Sequence, residues 1–307
     1  MTVTAARPFL VCCGLATLDV VQVVDRVPGA DEKVVARSLD VTFGGPAANA
    51  AATAVALGVR TRLVTALGSG PVADLVRDGL VRAGVDVVDL VAGRAGSPAV
   101  STVLVTAATG ERAVVSVNAT GLADLPAPDV DLLEGATAVL VDGHHLEAGL
   151  TLAAAARGRG IPVLLDGGSW KPGLDRLLAV VDHAVLSADF ALPDGPAATD
   201  DLLDRVAALG PATVARSAGA GPLRVRVSGP DERAAWSAVV PPGVQVVDTL
   251  GAGDVLHGAT AAALASGRGI VAALEEGVRQ ASESVRWPGA LGWVGEEGPP
   301  TDRPSAG

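Results

Sequence analysis

Gly251-Ala252-Gly253-Asp254 is the stretch of this chain with the clearest chemical potential: three small residues and a carboxylate ahead of an alanine-rich periodic run, VLHGATAAALASG. The preceding run, PPGVQVV, ends in β-branched residues, so the tetrapeptide is expected at a strand-to-helix corner. The first amides of a helix have no intrahelical partners and face outward with the positive end of the dipole, which makes such a corner a site for an anion. Glycines at 251 and 253 leave space for that anion to come close. Asp254 then falls in the first turn, where a carboxylate can accept a proton from an attacking hydroxyl. The alternative is that Asp254 serves its helix alone, because an acidic side chain is favourable in any first turn.

A corner of this kind needs a sheet and helices to hold it. From residue 136 onward TAVLVDG, LEAGLTLAAAARGRG, IPVLLDGG, PGLDRLLAVVD, HAVLSA, TDDLLDRVAALG and TVARS alternate short apolar runs with helical segments, the pattern of a parallel sheet built by crossovers. Residues 15–43 and 98–118 break the rhythm. Both are rich in Val and Thr without a helical period, and the second has a turn at Thr109-Gly110, so both are expected as antiparallel strands of a small sheet projecting from the main body. A cover of this kind would exclude water from group-transfer chemistry.

The bulk composition suits that architecture and narrows the function. The 307 residues are 49% hydrophobic, with three Phe, four Trp and no Tyr, so the core must be made of Val, Leu and Ala, as buried parallel strands under alanine-rich helices require. A formal net charge of −11 argues against a nucleic-acid partner, which would need clustered Lys and Arg. Cys12 and Cys13 are adjacent in an expected strand and point to opposite faces, which gives neither a disulfide framework nor a zinc site. Arg7 followed by FLVCCGLATL loosely imitates a secretion signal, but a first buried strand is the preferred reading. With no membrane-length apolar run, a soluble cytoplasmic protein is expected. The four histidines lack metal-ligand spacing. There is no G-x-x-x-x-G-K-[ST], and no G-x-G-x-x-G follows the first strand, which removes the P-loop and the usual dinucleotide fingerprint.

DTLGAGD with its small-residue helix resembles the C-terminal motif of the ribokinase-like (PfkB) carbohydrate kinases. FGGPAANAAATAVALG at 43–58 is similar to that family's Gly-Gly-x-x-x-Asn helix start, and GLATLD at 14–19 to its first strand and sugar-gripping Asp. The three occur in the family's order, and the resemblance covers residues 9–295. It implies an α/β three-layer sandwich in one domain over 1–307, with a mostly parallel central sheet and a small antiparallel β lid formed by 15–43 and 98–118. It also implies transfer of the γ-phosphoryl group of ATP, with Mg2+, to a hydroxyl of a small sugar.

By that resemblance Asp254 is the base and the amides of Gly251, Ala252 and Gly253 form the anion hole. Asp19, Gly45 and Asn49 would hold the sugar, with Asp248 facing the acceptor or capping its own loop, and His144 or its neighbour His145 at the pocket edge. Ser187, Arg216, Gly219, Gly221 and Thr249 fall on the nucleotide side. VVPPGVQVVDTLGAGD and VLSADF look like ketohexokinases, and FGGPAAN and GAGDVLHGA like sulfofructose kinases, so a ketose-type acceptor is expected, with a nucleoside as the alternative.

The chain also departs from the pattern. Pro46 replaces a lysine found in several members, which leaves Arg37 and Arg112 in the lid to supply a cation. Ser187-Ala188-Asp189-Phe190 stands where many members have Asn-x-x-Glu, the Glu organising magnesium, so Asp189 takes that role or the ion is held by phosphates and water, and no protein metal site is assigned. That change motivates a second reading, a catalytically weak sugar- or nucleotide-sensing protein on the same fold. No membrane partner is expected, and the open edges of the lid suggest a homodimer.

Overall fold

The computed structural model describes residues 7–117, 124–195, 198–228 and 234–295; position 118, which closes the second expected lid segment, lies outside the described residues. The chain begins with β1 (Phe9–Cys13), enters a small sheet through β2 (Thr17–Val24) and β3 (Ser38–Gly44), and returns as α1 (Pro46–Ala56) and β4 (Arg60–Thr65). Next come α2 (Pro71–Arg82), β5 (Asp86–Asp89), and a second excursion through β6 (Ala99–Thr106) and β7 (Arg112–Ser116). The alternation expected after residue 136 follows as β8 (Ala138–Val141), α3 (Leu146–Gly158), β9 (Val163–Gly167), α4 (Leu174–Leu178), β10 (His183–Leu186), α5 (Thr199–Ala207) and β11 (Thr213–Ala218). Then come β12 (Gly221–Ser228), β13 (Ala234–Val239), α6 (Ala252–Ala265) and α7 (Ile270–Ser284).

The large sheet has the order β13-β12-β11-β10-β9-β8-β1-β4-β5 and is parallel from β11 to β5, with an antiparallel edge at β12 and β13. Helices cover both faces. One face packs with α1, α2, α6 and α7 around Leu10, Cys12 and Leu63; the other packs with α3, α4 and α5 around Val11, Cys13 and Leu165. Cys12 and Cys13 therefore lie on opposite sides of β1, as side-chain alternation requires, and burial pushes both thiols up. The small sheet has the order β3-β2-β6-β7: two antiparallel pairs joined where β2 runs parallel to β6. No helix among the described residues is long and apolar enough to cross a membrane.

One expected element is absent. The PPGVQVV run is not a strand: residues 240–250 are irregular, Val246 and Val247 are exposed, and the amides of Val247 and Asp248 both go to the Val285 carbonyl at the end of α7. β-Branched composition signals an extended backbone, but a strand also needs a partner ladder, and two prolines begin this run. The corner before α6 is a loop-to-helix corner.

Small residues let the helices on one face approach closely. α1 buries eight successive residues, six of them alanine. A Cβ at Gly258 on α6 would sit 2.5 Å from the Ala50 carbonyl oxygen, and one at Gly277 on α7 would sit 2.7 Å from that of Leu256. Both obstacles are helix backbone, which cannot swing aside as a side chain can. Gly258→Val is therefore expected to lower the unfolding free energy by about 2–3 kcal/mol through overpacking between α1 and α6. Urea denaturation measures this, and a loss below about 0.5 kcal/mol would show the spacing to be adjustable.

Candidate active site

In an open parallel sheet the loops leaving the strand C-termini share one edge, and a crevice opens where the connections change direction. Here that point lies between β1 and β8, from which the chain proceeds outward in both directions. Asp142, directly after β8, bridges it. Its Oδ2 accepts from the Leu15 amide at 2.7 Å and the Ala47 amide at 3.3 Å, and its Oδ1 from the His144 amide at 2.9 Å. One buried carboxylate thus ties together the loop after β1, the start of α1 and the start of the β8–α3 loop. Gly14 makes this possible, because a Cβ there would lie 2.2 Å from the Asp142 carboxylate.

Asp19 on β2 shows the same device. A Cβ at Gly44 would meet its carboxylate at 2.0 Å, so the missing side chain of Gly44 is the space Asp19 occupies. Oδ1 of Asp19 accepts from the Thr17 hydroxyl at 2.6 Å; burial pushes its pKa up, and the hydrogen bonds with Thr17 and Ser101 oppose this. Gly45 caps α1 at φ +95, a left-handed conformation, and a Cβ on it would strike the Leu15 carbonyl oxygen at 2.6 Å. Pro46 at the first helical position needs no amide partner there, which accounts structurally for its presence. Asn49, buried in the first turn of α1, donates from Nδ2 to Asp254 Oδ2 at 2.7 Å.

Asp254 projects from the first turn of α6. Gly251, the N-cap, has φ +73 and is pressed against Ala290, whereas a Cβ on Gly253 would meet nothing. No side chain caps this helix end, and among the described residues the amides of Gly253 and Asp254 have no acceptor. The exposed Gly253 and half-buried Asp254 are open to a ligand. Burial and the neighbouring Asp166 push the Asp254 carboxyl up to about 7, the Asn49 hydrogen bond and His257 pull it down, and Asp19 raises it. Asp166, at the end of β9, is buried and pushed up to about 8 by that burial and by Asp142, with Lys171 opposing.

The remaining candidates surround this centre unevenly. Arg112 and Thr249 line one cleft of about 640 Å³ with Val27, Thr106 and Glu111, between the β6–β7 turn and the loop before α6. Arg37 is engaged by Asp25 at 2.5 Å. Asp248 spends its carboxylate on the loop, accepting from the Leu250 and Gly289 amides at 2.9 and 2.8 Å, the capping role weighed for it above. The Ser187 hydroxyl donates to the Gly168 carbonyl at 2.7 Å. Arg216 donates to the Ala188 carbonyl at 2.6 Å and the Thr199 hydroxyl at 3.2 Å, bracing the loop after β10 against α5. Gly219 and Gly221 form the β11–β12 turn, with Gly219 at φ +58. His144 is half-buried and His145 buried at the α3 N-cap; burial lowers both pKa values.

A profile of the pfkB family of carbohydrate kinases matches residues 7–292. The chain belongs to that family. This pfkB kinase is 27% identical over 304 residues to the ribokinase of Arabidopsis thaliana, an alignment covering 94% of this chain and 79% of that one. It is 28% identical to the ketohexokinase of Mus musculus, with 93% and 98% covered. Among solved structures, a ribokinase-like protein of Agrobacterium tumefaciens superposes with a TM-score of 0.82 at 26% identity, covering 93% of this chain and 94% of that one. Arabidopsis thaliana ribokinase, solved with ribose and ATP, superposes at 0.73 with 22% identity, covering 94% and 96%. The pfkB kinase is thus a sugar kinase, a phosphotransferase with an alcohol acceptor, on the ribokinase-like fold.

Three residues of this kinase's site escape a reading of the motifs: Asp142, Asp166 and His257. The first two carried a visible signal, a carboxylate followed by glycine at the end of a buried apolar run (LVDG, LLDG). His257, one of the four histidines without metal-ligand spacing, is buried and hydrogen-bonded at both ring nitrogens. Phe190, where the family's magnesium-organising Glu stands, is buried edge-on against Trp170, and Asp189 beside it is exposed. Among the described residues no three His, Cys, Asp or Glu side chains converge to cage a metal ion.

Asp142→Ala in the pfkB kinase would strand three backbone donors at once. It is expected to cost about 3 kcal/mol or more of stability, read by urea denaturation. A loss near that of an ordinary surface substitution would show that water replaces the carboxylate.

Proposed function

We propose that this kinase transfers the γ-phosphoryl group of ATP to a hydroxyl of a small sugar, with a ketose or ketose-like acceptor. The observation that carries this reading is the half-buried Asp254 carboxylate beside two partnerless amides at an open helix end. The phosphoryl group being transferred gains charge stabilisation from the amides at the α6 N-terminus, and Asp254 accepts the proton of the attacking hydroxyl. Asn49, hydrogen-bonded to Asp254, fixes the side-chain orientation of the base. Asp19 and the backbone at Gly45 receive the sugar hydroxyls at the other side of the crevice, where the close approach at Gly44 holds the Asp19 carboxylate in place.

The nucleotide phosphates suit the space left by Gly253. Magnesium, when bound with the nucleotide, screens phosphate charge; the residue set at Ser187–Phe190 offers it no cage, so no step here depends on a protein-held ion. The small sheet acts as the lid, and Arg112 in the shared cleft with Thr249 is placed to meet an anionic group on acceptor or nucleotide. The 28% identity with a ketohexokinase over nearly its whole length supports the ketose acceptor. Exposed Leu39, Val41, Val114 and Val115 on the small sheet support a homodimer formed through it.

Asp254→Asn is expected to lower kcat by at least about 10², while calorimetry still detects sugar binding; full turnover in that variant would remove Asp254 as the base. A base raised to about 7 must lose its proton to act, so kcat/KM should fall about tenfold per pH unit below 7 and level off above it. A pH profile flat from 5 to 8 would contradict the ionisation assigned to Asp254. ADP release measured over ketoses, pentoses, sugar acids and nucleosides identifies the acceptor class, and binding without turnover across that set would favour the sensor.

A further inference from the structure

His257 lies on α6 three residues after Asp254, about one helical turn along. Its ring is buried. Nδ1 stands 2.7 Å from the Gly253 carbonyl oxygen and 3.2 Å from Oδ2 of Asp166; Nε2 stands 3.0 Å from the carbonyl oxygen of Val185 on β10. All three partners are oxygens, and the two carbonyls can only accept. A neutral imidazole has one N–H, so one of its nitrogens would face a carbonyl lone pair to lone pair at hydrogen-bond distance. Two N–H groups satisfy both carbonyls. The balancing charge is at hand in Asp166, whose buried Oδ2 lies 3.2 Å from Nδ1 and has no hydrogen-bond partner among the described residues.

Burial disfavours charge on either partner, lowering the pKa of the ring and raising that of Asp166. The pair is net neutral whether the proton sits on the carboxyl or on Nδ1, but the charged form must offset the desolvation of two buried charges. The carbonyls at 2.7 and 3.0 Å supply that offset together, because only the imidazolium donates to both. The other charged groups facing the pair are Asp254 on the same helix, Asp142 after β8 and Lys171 after β9, while Asp19 on β2 acts on Asp254.

We propose that His257 is a positioning residue for phosphoryl transfer: as an imidazolium clasped by the Gly253 carbonyl, the Val185 carbonyl and the Asp166 carboxylate, it bolts the first turn of α6 to the ends of β9 and β10. This rests on the reading of Asp254 as the base. The clasp acts through Gly253, the residue between the anion hole and Asp254. Loosening it shifts base and amides relative to the transferring group more than it moves Asp19 on β2 and the backbone at Gly45. Small displacements of this kind lower turnover more than binding.

The test uses the full-length wild-type protein with 15N-labelled histidine, in which only four rings must be told apart. Long-range proton–nitrogen spectra at pH 7 should show one ring with both nitrogens protonated, and that signature should vanish in Asp166→Asn, whose amide cannot balance the charge. In parallel, His257→Phe should lose at least tenfold in kcat, with KM for sugar and for ATP changed less than threefold. A neutral His257 tautomer in the wild type overturns the proposal, with no variant needing to fold, and so does wild-type kcat in a folded His257→Phe. Activity retained in Asp254→Asn would instead defeat the base assignment, and the ring spectrum would be unaffected by that failure.

Discussion

The site depends on a single buried carboxylate. Asp142 gathers amides from the loop after β1, the first turn of α1 and the loop before α3, three segments that the fold brings together from as far as 127 residues apart in sequence. Each of those amides would otherwise be a buried donor without an acceptor. Because Ala47 is among them, Asp142 helps to hold the start of α1, from which Asn49 reaches its hydrogen bond to Asp254. The candidate base is therefore held by a chain of contacts that begins at the switch point of the sheet.

The crevice is crowded with acids, and the fold makes room by omission. Gly14 and Gly44 supply no side chain where the carboxylates of Asp142 and Asp19 must sit, and Gly253 leaves the N-terminus of α6 open. Asp19, Asp166 and Asp254 are all pushed toward protonation, chiefly by burial. A site of this sign would repel a nucleotide were it not for the helix N-terminus, whose partial positive charge and unsatisfied amides face outward at the same place. The positive potential at this point of the crevice thus comes from backbone more than from basic side chains, in keeping with the acidic composition.

The sequence made the layered sheet legible because buried parallel strands and their crossover helices differ in period, and every expected element from β8 to β11 is present. The two lid segments were legible for the same reason. Local composition misled at PPGVQVV, where β-branched residues sit in an exposed loop, and it gave no warning of the antiparallel edge at β12 and β13. Glycine-rich corners announced themselves at Gly45 and Gly251. What stayed hidden were the partners: nothing near LVDG states that its aspartate will accept from Leu15 and Ala47, and nothing near VLHG states that its histidine will meet Asp166. Pairings of that kind are set by tertiary placement, and only the residue types leave a trace in the primary structure.

The small sheet is anchored to the main body through two hairpins. Its first hairpin leaves β1 through residues 14–16 and rejoins the main body at Gly45, and its second enters after β5 through residues 90–98 and carries the 107–111 turn that borders the cleft. With both hairpins joined through β2 and β6, the sheet can rock about its base but cannot swing free. Rocking moves the distant turn by much more than it moves Asp19 near the hinge line, so the cleft at that turn can widen while the surroundings of the Asp19 carboxylate keep their shape.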